Sequence, residues 1–262
     1  MNSRSGGLRW LIVVAVIGVG AGIAIAGIPT QADPFTIQAI DGSTSPTSTS
    51  IAVPAGSTGP STTVDARQTV PITFIGDSYT GGSDMGGDAA KGWTARLQSQ
   101  IDPAKYFVPY RRYAEGGAGY VATGQQGSTF LDLATRVQPD TAIVIVFGSR
   151  NDGGIDPARV RSAADTVFAA IRTKAPGALL LVIGPPWVDE DVPAGISAVR
   201  DALQSAADDA AATFVDPLAE GWFFGADSAL IGTDGVHPTN DGHVYMAAKI
   251  LPHVQSMFDA LG

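Results

Sequence analysis

"TAIVIVFG", residues 141 to 148, is the stretch on which the fold turns. Every side chain from Ala142 to Phe147 is apolar. No wet face alternates with a dry one, so both faces of this β-branched strand are covered. That places it at the centre of a parallel sheet with helices on either side. "ALLLVIG" (178 to 184) reads in the same way. Further out, "TVPITFIG" (69 to 76), "YFVPYRRYA" (106 to 114) and "TFVDP" (213 to 217) are shorter strand signals, and Pro109 marks the second as an edge strand or a bulge. Between them lie helical segments. Trp93, Leu97 and Ile101 fall four apart within 89 to 101, "FLDLATRV" (130 to 137) is short, and 157 to 175 stops at Pro176-Gly177. Residues 194 to 212 are Ala-rich, and 240 to 261 contain Pro252, which is expected to kink or divide the helix. Strands alternating with helices predict an α/β domain of three layers around a parallel sheet, over residues 70 to 262.

The first 69 residues have a different character. Residues 1 to 9 carry Arg4 and Arg9, and "WLIVVAVIGVGAGIAIAGI" (10 to 28) follows with no charge. At about 1.5 Å per residue this run nearly crosses a hydrocarbon core of about 30 Å. The next basic residue is Arg67. That asymmetry predicts a cytoplasmic N-terminus with the rest of the chain outside. A transmembrane anchor and a signal peptide cleaved after "TQA" both fit, and both export the domain. Residues 29 to 69 read as a linker: from Asp33 to Thr69, 14 of 37 residues are Ser or Thr, broken by four prolines. As a flexible coil such a linker spans about 30–35 Å on average.

Composition excludes several classes of function. There is no cysteine, hence no disulfide, thiolate metal site or cysteine nucleophile. Net charge is −9, and because the first 69 residues hold three Arg and three Asp, all of it falls on the domain. An acidic domain is a poor partner for nucleic acid.

In a parallel sheet of this kind, ligands bind beyond the carboxyl ends of the strands. The loops predicted there are "GDSYTGG" (76 to 82), "EGGAGY" (115 to 120), "GSRNDGG" (148 to 154) and "GPPW" (184 to 187). Ser78 is a candidate nucleophile. Of the histidines, His243 and His253 lie in the C-terminal helical region and read as packing or surface residues, whereas His237 lies in the turn "GTDGVHPTND" (232 to 241). Asp234, three residues earlier, is placed to take the imidazole N–H and fix its tautomer. Two further histidines without H-x-H or H-E-x-x-H spacing make a poor metal site. The glycine loop offers backbone N–H groups and Asn151 a side-chain amide to a developing oxyanion. No G-x-S-x-G elbow occurs in the chain.

Ser, Gly, Asn and Asp-x-x-His in that order, each after a strand, resemble the GDSL-like or SGNH hydrolases over roughly residues 70 to 255. The blocks are Gly76-Asp77-Ser78, Gly119 within "GGAGY", "GSRND" from Gly148 to Asp152, and Asp234 to His237. The resemblance implies a flavodoxin-like three-layer fold and a serine esterase needing neither cofactor nor metal. Ser78 would attack an acyl ester of a lipid, glycolipid or glycan. His237 would take its proton, and Asp234 would orient His237. The N–H groups of Ser78 and Gly119 with the Asn151 amide would hold the oxyanion, Gly119 being preferred over Gly116 and Gly117. An acyltransferase would use the same groups, and a non-catalytic binding module is the reading from another class. Asp77 and Asp152 are read as structural, fixing a turn and capping a helix. Tyr79 and Trp187 are candidate pocket residues. Two features depart from the family pattern: Tyr79 stands where Leu is common, and the third block reads Gly-Ser-Arg-Asn-Asp, one residue longer than Gly-x-Asn-Asp.

Overall fold

The computed structural model describes residues 67–262. The expected anchor or signal at 10–28, and the linker up to residue 66, lie outside the described residues. Gln68–Thr69, read as the linker's end, form a strand, β1. The chain continues through β2 (Ile72–Gly76), α1 (Ser78–Gly81), α2 (Trp93–Gln100), β3 (Tyr106–Phe107), β4 (Tyr110–Ala114) and α3 (Phe130–Ala134). It then runs through β5 (Ile143–Phe147), α4 (Pro157–Lys174), β6 (Leu179–Ile183), α5 (Ala194–Asp209), β7 (Thr213–Val215) and α6 (Asn240–Leu261). Among the described residues no helix is long and apolar enough to cross a membrane.

The main sheet is parallel with strand order β4-β2-β5-β6-β7. Taking these five strands in sequence order, that is 2-1-3-4-5, the flavodoxin-like arrangement. As expected of its apolar run, β5 is central and buried along its whole length. Its alternate residues feed two cores. Ile143, Ile145 and Phe147 pack with Trp93 and Leu97 of α2 and with Met246, Ile250 and Val254 of α6. Val144 and Val146 pack with Phe130 of α3, Val167 and Phe168 of α4, and Val199 and Leu203 of α5. Each face of the sheet thus has its own layer of helices.

Two proline effects differ from one another. Pro109 divides the expected strand 106–114 into β3, paired with β1, and the edge strand β4, paired with β2. The carbonyl of Pro109 still accepts the Ile72 N–H at 3.0 Å. Pro252, by contrast, does not divide α6, which is continuous from Asn240 to Leu261. Proline removes the bond to the carbonyl four residues back, and both Pro252 and Ala248 are exposed, so water can solvate that carbonyl. The buried face through Ile250 and Val254 is uninterrupted.

Candidate active site

Ser78 sits where β2 turns into α1. A Cβ on Gly76 would lie 2.3 Å from Thr80 Oγ1 and 2.9 Å from the Phe147 carbonyl, so only glycine lets the chain turn this tightly. Asp77 caps the turn, with Oδ1 accepting the Tyr79 N–H at 2.9 Å. Ser78 is then the first residue of a single helical turn, and among the described residues its N–H has no acceptor.

His237 arrives from the opposite end of the chain. The carboxylate of Asp234 is held by three donors. Oδ1 accepts the N–H groups of Val236 and His237, each at 2.9 Å, and Oδ2 lies 2.7 Å from His237 Nδ1. The bond from the His237 N–H, with the imidazole bond next, draws the Asp234 carboxyl down to about 2. A carboxylate acceptor puts the imidazole proton on Nδ1, which leaves the lone pair of Nε2 facing Ser78 Oγ at 2.9 Å. Ser78, His237 and Asp234 are therefore brought into one line of hydrogen bonds, the Asp234–His237 contact as the spacing predicts and the Ser78–His237 contact as the resemblance implies.

The glycine loop between β4 and α3 is organised by two carboxylates. Asp152 is fully buried and accepts the N–H groups of Tyr120, Val121 and Ala122 at 2.8–3.1 Å. It gathers this loop rather than capping a helix. Glu115 accepts the N–H groups of Gln126 and Ser128. The Ser128 hydroxyl, the largest influence, lowers its pKa. This geometry corrects the reading of Gly119. Its N–H donates to the Ala122 carbonyl at 2.9 Å, and a Cβ there would come within 2.5–2.7 Å of Asp152 and Ser149. Packing against Asp152 explains the glycine, and its donor is already engaged. Among the described residues the N–H groups of Gly116 and Gly117 have no acceptor. They follow β4 after Glu115, and Ala114 at the end of β4 is in register with Gly76.

Asn151 lies in a 3₁₀ turn, Arg150–Asp152, capped by Ser149, whose Oγ accepts the Asn151 N–H at 3.0 Å. Its amide nitrogen donates to Asp77 Oδ2 at 3.1 Å and to the Ala118 carbonyl at 2.8 Å. The amide thus bridges the Ser78 turn and the glycine loop. Burial pushes the Asp77 carboxyl up to about 7, against the pull of the Tyr79 N–H and the Arg150 charge. Ionisable groups poised near neutrality cluster at reactive sites.

Tyr79 is not a pocket residue. Its ring is 1% exposed, packed edge-on against Phe147 and Phe223, and its hydroxyl donates to the Val236 carbonyl. Trp187 is half-buried, and its ring carries the Arg150 guanidinium 4.3 Å from its centroid. Arg150 is the residue that sequence reasoning missed. The signal was a charged residue in a block of small polar ones.

The model of the GDSL-like Lipase/Acylhydrolase family matches residues 74–245. The chain belongs to that family. It is 47% identical over 186 residues to GDSL lipase Rv0518 of Mycobacterium tuberculosis, covering 70% of this chain and 80% of that one. Among solved structures, TesA matches with a TM-score of 0.58 at 21% identity, covering 71% of this chain and 99% of TesA. A family two carbohydrate esterase from Clostridium thermocellum, solved as an active site mutant with a cello-oligosaccharide, matches with a TM-score of 0.56 at 16% identity. That match covers 71% of this chain and 63% of the esterase. As a GDSL-family member the chain is a carboxylic ester hydrolase, built on the SGNH fold.

His243, in α6, packs behind the site. It is fully buried, and its Nδ1 accepts the Trp93 N–H at 3.3 Å. A Cβ on Gly87 would strike its ring at 2.1 Å. The 82–92 loop held in this way also presses Met85 against Gly232, next to Asp234. Burial, then the charges of Arg96 and Arg112, lowers the His243 pKa from 6.5 to about 4. Between those values the unfolded chain binds more protons than the folded one. The His243 contribution to stability is therefore full above pH 6.5 and falls by up to roughly 3 kcal/mol as the pH drops toward 4. His243→Gln, which stays neutral, should lose roughly 2 kcal/mol less than wild type between pH 7 and 4.5 in urea unfolding. Equal acid losses in the two proteins would refute this role.

Proposed function

We propose that the GDSL-family domain hydrolyses O-acyl esters of short acyl chains outside the cytoplasm, through an acyl-enzyme on Ser78. The observation that carries this reading is the line of contacts Ser78 Oγ to His237 Nε2 at 2.9 Å and His237 Nδ1 to Asp234 Oδ2 at 2.7 Å. In the reaction Ser78 Oγ attacks the ester carbonyl while its proton passes to His237 Nε2. Asp234 stabilises the imidazolium. The oxyanion takes the free N–H of Ser78, the N–H groups of the Gly116–Gly117 segment and the Asn151 amide. His237 then gives the proton to the departing alcohol. In the second half a water attacks the acyl-Ser78 by the same route and releases the acid.

The preference for short chains rests on the connections at the strand ends. Among the described residues they hold only α1 and 3₁₀ turns outside the layer helices, so no amphipathic helix is placed to shelter a long chain. A series of p-nitrophenyl esters tests it. Acetate and butyrate should turn over faster than palmitate, and the opposite order would overturn the preference. Adding mono- and oligosaccharides to the same assay separates hydrolysis from transfer, since an acylated sugar as the main product would make the domain an acyltransferase.

The location rests on sequence: Arg4 and Arg9, then 19 uncharged residues, then no basic residue until Arg67. We read residues 10–28 as a membrane anchor that holds the hydrolase outside, with the acyl ester of a lipid, glycolipid or envelope glycan as its substrate. Fractionation of cells making an N-terminally tagged protein should find the tag and the activity together in the membrane. A protein in the medium beginning near Asp33 would replace the anchor with a cleaved signal, and activity in the cytoplasmic fraction would sink the location.

A further inference from the structure

The two departures from the family pattern meet in space. Arg150, in the lengthened third block, donates from Nη1 to the hydroxyl of Tyr79 at 3.1 Å. Both then converge on one acceptor, the Val236 carbonyl. Tyr79 Oη donates to it at 2.5 Å and Arg150 Nη1 at 3.2 Å. That carbonyl belongs to the peptide group leading into His237, whose N–H is held by Asp234 Oδ1 at 2.9 Å. The Val236–His237 peptide plane is thus pinned at both ends, by Asp234 at its N–H and by Tyr79 and Arg150 at its C=O.

The anchor points matter as much as the bonds. Tyr79 directly follows Ser78, and its buried ring fixes the hydroxyl to the turn that carries the serine. Arg150 directly precedes Asn151, and its guanidinium is backed by the Trp187 ring. Segments 159 residues apart, at Ser78 and His237, are therefore referenced to each other through one carbonyl oxygen, with the Asn151 block as the third support. Burial raises the Tyr79 phenol to about 12, so it remains a donor across the working range of an esterase.

We propose that Tyr79 and Arg150 are a pair of positioning residues that hold His237 in register with Ser78 through the Val236 carbonyl. The proposal rests on the reading of Ser78, His237 and Asp234 as the catalytic groups. A Leu at position 79 has no donor, whereas the tyrosine and Arg150 bond each other and share one acceptor. A misplacement of about 1 Å can cost on the order of 10²-fold in rate. Arg150 also bonds the Tyr79 hydroxyl, so losing either donor loosens the same pin, at a cost of about 10-fold.

The test is a cycle of Tyr79→Phe, Arg150→Gln and the double variant, with Arg150→Lys as the conservative replacement. Steady-state constants for p-nitrophenyl acetate and thermal unfolding are measured on the same preparations, with assays well below each melting range. Wild type and Ser78→Ala are run alongside with a fluorophosphonate. Each single variant should lower kcat about 10-fold with KM within about twofold. The double variant should fall well short of the product of the two losses, because both residues act on one acceptor. Arg150→Lys should recover part of the loss. Four results would overturn the proposal: kcat within twofold of wild type in both single variants, a loss confined to KM, a fully multiplicative double variant, or a lower Tm with unchanged kcat. If wild type itself does not react with the phosphonate, the catalytic reading fails, and that outcome is distinct from failure of the positioning pair alone.

Discussion

Asp234→Asn is expected to lower kcat by about 10⁴-fold while leaving KM within a few-fold and the fold intact, as an inverted imidazole tautomer does in a serine triad. The reason lies in how the carboxylate is shared. Its Oδ1 is claimed by the Val236 and His237 N–H groups, and its Oδ2 receives the Nδ1 proton of His237. An asparagine has one acceptor oxygen, and the two backbone donors hold it. The amide NH₂ is then turned toward Nδ1, which must become the acceptor. The imidazole proton moves to Nε2, the nitrogen that faces Ser78 Oγ at 2.9 Å. A protonated Nε2 cannot take the serine proton. Nitrogen-15 chemical shifts of the imidazole would report the change from Nδ1–H to Nε2–H directly. A loss below about 10-fold with the tautomer inverted would show that His237 is not the base.

Asn151→Ala is the second large effect. In the proposed oxyanion role, the amide would tighten its contact only as the carbonyl becomes tetrahedral. Removing such a donor typically costs about 10²- to 10³-fold in kcat, roughly 3–4 kcal/mol, with KM little changed. The resting contacts sharpen this expectation. Both amide hydrogens are already placed, one on Asp77 and one on the Ala118 carbonyl, so an oxyanion competes with the Asp77 carboxyl for one of them. Loss of the amide also leaves the buried Asp77 with one donor fewer, and some fall in melting temperature should accompany the kinetic loss. Slow labelling of Ser78 by a reactive phosphonate should survive. If melting temperature falls while kcat of the folded protein stays within a few-fold, Asn151 is only the bridge between the two loops.

Much of this architecture was legible in the sequence, and the reasons are physical. The run Ala142 to Phe147 is apolar on both faces, and burial of β5 on both faces follows. Pro109 cannot donate to a ladder, and β4 is accordingly an edge strand. Asp234 and His237 are close enough in sequence for a single turn to join them. What sequence left undetermined depends on distant partners. Gly116, Gly117 and Gly119 carry the same local signals, and Gly119 is taken out of contention by its bond to the Ala122 carbonyl and by Asp152, more than thirty residues away. Tyr79 beside a nucleophile reads as a pocket wall, yet the turn of α1 sends its ring into the core. Pro252 reads as a break, yet it lies on the wet face of α6, where its missing bond is tolerated.

We propose Ser78 as a nucleophile made reactive by His237. Intact-mass measurement of the protein after brief exposure to a fluorophosphonate tests it most directly. One phosphonyl adduct per chain is expected, mapped to the peptide containing Ser78, absent in Ser78→Ala and formed far more slowly in His237→Ala. Equal labelling of Ser78→Ala and wild type, or an adduct on another residue, would contradict it.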